Sequence, residues 1–138
     1  MASSGFILSP YYPGFYAPNS SCNWLITAPV GHVIRLEVLD FQLERDPRCA
    51  TDHLEVTDGN TVGEKNLGRY CGDEIPKLMQ STRNTLHIAF RSDMSVQRTG
   101  FKIHYSFKGL SQQFIILWLL LTQCLFQFRP FLAHYAYY

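Results

Sequence analysis

Glu44-Arg45-Asp46-Pro47-Arg48-Cys49-Ala50-Thr51-Asp52-His53-Leu54-Glu55-Val56-Thr57-Asp58-Gly59 is the stretch from which the rest of the chain can be read. It holds a carboxylate, a cysteine, a second carboxylate three residues later, a short alternating run and an Asp-Gly step. Strand side chains alternate faces, so the run predicts a strand that buries Leu54 and Val56 and shows His53, Glu55 and Thr57 to solvent. Asp58-Gly59 predicts a turn, because Gly tolerates positive φ and Asp bonds its own turn. Cys49 offers a covalent tie. Glu44 and Asp52 offer hard oxygen ligands at the strand's entrance.

Outward from that stretch, short strand patterns alternate with turn signals. Gly5 to Leu8 reads as an edge strand stopped by Ser9-Pro10. Tyr11 to Ser21 is rich in Pro and Tyr and reads as a loop with aromatic packing, since Pro cannot donate to a ladder. Tyr11, Tyr12, Phe15, Tyr16 and Trp24 are read as core and loop packing rather than as a sugar-binding platform. Asn19-Ser20-Ser21 is an acceptor sequence for N-glycosylation on this loop. Cys22 to Ala28 predicts a strand with Cys22, Trp24 and Ile26 on one side. Val33 to Phe41 predicts a longer one, with Ile34, Leu36 and Val38 on one face and a bulge near Asp40 where the alternation breaks. Leu67 to Cys71 reads as a short strand, 75–81 as a connector, and Thr85 to Arg91 as a strand with Leu86, Ile88 and Phe90 inward. Ser92 to Gly100 is a polar loop. Gly100 to Phe107 closes the body. Seven or eight strands and no convincing helix before residue 109 predict an all-β sandwich or barrel.

The chain has 138 residues, which suits one domain, and 46% hydrophobic content gives it a core. A net charge of +1 with no Lys/Arg run gives no reason to expect nucleic acid as a partner. Four cysteines stand at 22, 49, 71 and 124, and spacing alone leaves their connectivity open. No Cys/His spacing suits structural zinc. The five histidines (32, 53, 87, 104 and 134) are scattered, and no Gly-x-Ser-x-Gly elbow occurs. Asp40 near Glu44 shows no shielding for acid–base work. The chain is therefore not expected to be an enzyme.

The ends differ from the body. Met1 to Pro10 has neither a basic start nor a long apolar run, so no export leader is expected there. Residues 109–138 read as a separate apolar tail with no charge between Lys108 and Arg129. As a helix, 114–128 would span about 22 Å, short of a hydrocarbon core of about 30 Å. It reads either as a weak membrane anchor or as an unpacked, aggregation-prone tail.

In order along the chain, several segments match one pattern. They are Ser9-Pro10-Tyr11-Tyr12-Pro13, Cys22-Asn23-Trp24, Pro29-Val30-Gly31, Asp40-Phe41-Gln42-Leu43-Glu44, Cys49-Ala50-Thr51-Asp52-His53-Leu54, Asp58-Gly59, Leu67-Gly68-Arg69-Tyr70-Cys71-Gly72, Phe90-Arg91-Ser92-Asp93 and Thr99-Gly100-Phe101. With these segments, residues 5–107 resemble a CUB domain, the extracellular module of complement and tolloid-type proteases, cubilin and spermadhesins. The resemblance implies a CUB-type antiparallel, jelly-roll-like β-sandwich over 1–108 and a Cys49–Cys71 disulfide. It also implies a first disulfide from Cys22 to a cysteine that this sequence lacks, which would leave Cys22 an unpaired, buried thiol.

A calcium-binding subset of the family further implies a Ca2+ site. Its three acids fall on Glu44, Asp52 and Asp93, and the main-chain carbonyls of Ser95 and Val96 would complete it. Calcium takes six to eight oxygens in flexible geometry, and a cation relieves the repulsion among converging carboxylates. The position before Asp52, usually aromatic in that subset, is Thr51 here. The function implied is calcium-dependent recognition of a protein partner that presents a Lys or Arg to the acidic loops, in a secreted or membrane parent of several domains. Two other readings stand beside it. One is a spermadhesin-like carbohydrate or lipid binder. The other is a truncated product without function; made in the cytosol, it would keep its thiols reduced.

Overall fold

The computed structural model describes residues 3–60 and 64–109. Eight strands make two four-stranded antiparallel sheets. One holds β1 (Ser4–Leu8), β8 (Gly100–Gly109), β3 (His32–Gln42) and β6 (Met79–Gln80), in that order. The other holds β2 (Ser21–Thr27), β7 (Thr85–Arg91), β4 (His53–Asp58) and β5 (Lys65–Tyr70). The all-β sandwich expected from the sequence is the architecture found. No helix occurs among the described residues, so none there could cross a membrane. The apolar run at 114–128, Cys124 and His134 lie outside the described residues.

Period-2 patterning chooses the inner faces. Ile34 and Leu36 of β3, Leu54 and Val56 of β4, Leu86, Ile88 and Phe90 of β7, and Phe101 and Ile103 of β8 are all fully buried. Pairing of β3 with β8 slips one residue between Val38 and Asp40. This bulge turns Leu39 outward and lets Phe41 rejoin the core, as the broken alternation predicted. A chain of aromatic rings crosses the sandwich. Tyr16 meets Phe90 edge-on at 5.1 Å, Phe90 meets Phe101 at 5.3 Å, and Trp24 meets Phe101 at 5.9 Å. Edge-to-face pairs add about 0.5–1.5 kcal/mol each beyond their burial.

Four expectations need correction. Thr57, read as solvent-facing, is 2% exposed. The ladder between β4 and β5 slips between Val56 and Thr57, so strict alternation ends at Val56. Asp58 is buried too, and its carboxylate accepts bonds from Thr82 N (3.1 Å) and Thr82 Oγ1 (2.7 Å). The connector at 75–81 contains a two-residue strand, β6, which pairs with Arg35 and Leu36 of β3. Cys22 is a free thiol, but it is half-buried rather than buried, because β2 is an edge strand. Of the loop aromatics, Tyr16 joins the core, while Tyr11 and Phe15 stand exposed.

Candidate functional site

The segments after β3, before β4 and after β7 converge at one end of the sandwich. Each is tied there by bonds its own sequence supplies. Beyond β3, Leu43 N donates to Gly72 O (2.8 Å) and Gly72 N donates to Glu44 O (3.2 Å). The Cys49–Cys71 disulfide, with Cα atoms 5.4 Å apart, closes the same corner. Between them, Asp46 caps a turn by accepting a bond from Ala50 N at 2.5 Å. Cys49 sits at φ 48° and Gly72 at φ 76°, both in the left-handed region. The corner that launches β4 is thus fixed by a covalent link and two backbone bonds.

Glu44, Asp52 and Asp93 meet at this corner. Each offers a carboxylate oxygen, and the three oxygens lie within 4.8 Å of one another. Asp52 is completely buried and held from two sides. Tyr16 Oη donates to its Oδ2 at 2.5 Å, and Asp93 N donates to its Oδ1 at 2.8 Å. Tyr16 Oη in turn accepts a bond from Glu44 N at 3.3 Å. Asp93 folds its own loop back, its Oδ1 accepting from Ser95 N at 3.0 Å. Glu44 Oε2 is out of contact with solvent and, among the described residues, has no hydrogen-bond partner. Among the described residues, no salt bridge reaches any of the three acids.

That arrangement is costly to ionise. Burial pushes the Asp52 carboxyl above the usual range and nearby Asp93 pushes it further, while the bonds from Tyr16 and Asp93 N pull it back. Burial likewise raises Glu44; the Thr51 hydroxyl pulls it back, and the charges of Asp93, Asp52 and Asp46 add to the rise. Burial and the bond to Asp52 raise the Tyr16 phenol as well, so it stays a donor at neutral pH. Three carboxylates facing one another, one with an unpaired buried oxygen, are what a cation between them would satisfy. Calcium–oxygen distances of about 2.3–2.6 Å let one ion bridge oxygens up to about 5 Å apart. The observed spacing fits within that limit.

The structure therefore brings together the three acids singled out from the sequence. Ser95 and Val96 follow directly in the Asp93 loop, exposed, with Val96 at φ 55°. Asn19 is exposed, and its main-chain N–H bonds Asp93 O at 2.9 Å. Asp40 is engaged elsewhere, accepting from Tyr12 Oη at 2.6 Å. Tyr16 is the site residue that the sequence reading missed. The available signal was the type itself: a Tyr that packs its ring in a core needs a partner for its hydroxyl, and buried acids are such partners.

Comparison with known proteins identifies the family. The CUB domain family profile matches residues 1–105. Human Tolloid-like protein 1 is 45% identical over 103 residues, covering 75% of this chain and 10% of that protein. The chain thus spans about a tenth or less of the curated relatives it matches first. Among solved structures, the full extracellular region of zebrafish Gpr126/Adgrg6 superposes with a TM-score of 0.71 at 36% identity, over 79% of this chain and 14% of that one. The MASP-1 CUB2 domain bound to Ca2+ superposes with a TM-score of 0.69 at 30% identity, over 76% of this chain and 93% of that one.

Proposed function

The chain belongs to the CUB domain family, and from that membership we propose that residues 1–108 form a non-catalytic extracellular module that binds a protein partner through a calcium-ordered acidic corner. Glu44, Asp52 and Asp93 supply carboxylate ligands, and the main-chain carbonyls of Ser95 and Val96 add neutral oxygens. The carrying observation is the convergence of three acids within 4.8 Å with, among the described residues, no cationic side chain paired to them. Calcium-bound MASP-1 CUB2, a solved structure of the same fold, supports the same assignment.

Calcium at this corner cancels most of the mutual repulsion and fixes the loops at 44–52 and 93–96 in one arrangement. Acidic oxygens that remain at the rim then accept a Lys or Arg from a partner. A charge-assisted bond to a pre-ordered site forms without the entropy cost of ordering the loop. The converging acids also favour this reading over a calcium-free carbohydrate or lipid binder.

Calorimetric titration of the oxidised chain with Ca2+ tests the proposal. Binding of one ion, with a raised unfolding temperature, is expected for the wild type, and both effects should disappear in Asp52→Asn. Equal calcium response in the two proteins would remove the assignment.

A further inference from the structure

The glycosylation sequence at Asn19-Ser20-Ser21 is bolted to the acidic corner. Asn19 N donates to Asp93 O (2.9 Å), Ser20 N donates to Ser92 Oγ (2.8 Å), and Ser92 N donates to Ser20 O (3.0 Å). Ser92 Oγ then donates to Ala17 O at 2.9 Å, and Ser20 Oγ donates to the same carbonyl at 2.7 Å. The loop carrying the acceptor asparagine and the loop carrying Asp93 therefore move as one unit. Asn19 itself is exposed at φ 54°, a left-handed conformation that asparagine tolerates better than most residues. Ser21, the hydroxyl residue of the acceptor sequence, is exposed at the start of β2. No hydrogen bond of the described residues uses either the Asn19 side-chain amide or the Ser21 hydroxyl.

We propose that Asn19 carries an N-linked glycan that shields the acidic corner, weakening docking of a basic partner while leaving the metal ligands in place. This rests on the reading of Glu44, Asp52 and Asp93 as a metal-ordered docking surface. The modification itself joins Asn19 Nδ2 to the first sugar carbon of a lipid-linked oligosaccharide. The amide loses a proton and lipid pyrophosphate leaves. The product is bulky, and it begins one side chain away from a backbone bonded to Asp93. A glycan there changes none of the carboxylates, so calcium binding stays intact. A large partner approaching the rim must displace or avoid the sugar.

The full chain, directed into the secretory pathway of mammalian cells by an added leader, supplies the test. Peptide mass mapping reads occupancy at Asn19. Calorimetry reads Ca2+ affinity, and a biotinylated oligolysine peptide serves as the basic probe. Three samples are compared: the secreted protein, the same protein trimmed by an endoglycosidase to one sugar, and Ser21→Ala. Trimming avoids the extra carboxylate that full enzymatic removal would create at position 19. Ser21→Ala abolishes the acceptor sequence while keeping asparagine in its left-handed conformation. The expected result is an occupied Asn19, one calcium affinity in all three samples, and oligolysine binding roughly fivefold or more tighter in the trimmed and Ser21→Ala proteins. An unmodified Asn19 overturns the proposal, as does equal probe binding with and without the glycan. Probe binding that ignores calcium in every sample instead overturns the docking reading and the shielding with it. Occupancy at Asn19 is read separately.

Discussion

Tyr16 Oη donates a 2.5 Å hydrogen bond to Asp52 Oδ2 across 36 residues of sequence. The same oxygen accepts from Glu44 N, so one phenol holds two of the three acids in position. Its ring is 1% exposed and rests edge-on against Phe90, which ties the acidic corner to the centre of the sandwich. Tyr16→Phe keeps the ring and removes both bonds. It leaves a buried carboxylate with one donor fewer, at a cost of about 1–3 kcal/mol. Urea unfolding in chelator should show that loss, and calcium titration should show weaker binding because Asp52 is no longer oriented.

Protonation of the corner gives a pH dependence with a defined sign. Asp52 and Glu44 have folded pKa values above their ordinary ones, each chiefly through burial. A group raised in this way favours the folded state fully below its unfolded pKa, and that contribution is lost as pH rises through the folded value. The calcium-free domain should therefore gain stability from these two groups as pH falls from neutral into the acid range. Calcium reverses the preference, because it binds the ionised carboxylates. Unfolding temperatures measured from pH 7 to pH 4 should show the calcium-induced increment shrinking with acid. In Asp52→Asn the chelator curve should lose part of its slope. An increment that stays constant over that range would contradict the assignment.

Much of this corner was legible in sequence because its residues come in short, ordered phrases. Cys49-Ala50-Thr51-Asp52 and Ser92-Asp93 sit beside strands whose alternation is plain, so the sandwich follows, while the meeting of the three acids is what the resemblance to the CUB family implied. Tyr16 was harder to read. It lies in a loop rich in Tyr and Pro, and nothing local separates it from Tyr11, which stands 77% exposed. Only the bond to Asp52 makes the distinction, and that bond is long-range. The solvent-facing reading of Thr57 failed for a related reason. The slip between Val56 and Thr57 depends on β5, whose pairing the sequence of β4 does not encode.

Asp58 makes a useful control for the acidic corner. It lies at the far end of β4 from Asp52 and is 4% exposed. Its carboxylate accepts both the main-chain N–H and the hydroxyl of Thr82. Asp58→Ala strands those donors and should cost about 1–3 kcal/mol in urea unfolding. Thr82 is itself exposed, so water can reach its groups and the loss should fall toward the lower end. Calcium affinity should stay at the wild-type value. A fall in affinity to match Asp52→Asn would mean that the corner answers to general stability rather than to its own ligands.

The disulfide should couple stability to the site. Cys49 and Cys71 enclose a separation of 22 residues, and closing such a loop stabilises the folded state by about 3 kcal/mol in the chain-entropy account. Asp52 follows Cys49 by three residues, and Glu44 is bonded to Gly72 beside Cys71. Loss of the bridge therefore releases the two segments that carry two of the three acids. The double variant Cys49→Ser with Cys71→Ser should lose about 3 kcal/mol in urea without calcium. It should also bind Ca2+ more weakly, since the ion must then order the corner as well as fill it. Saturating calcium should recover part of the lost stability through binding to the folded state alone. If the variant bound calcium as tightly as the wild type, the bridge would matter for the fold but not for the arrangement of Glu44 and Asp52.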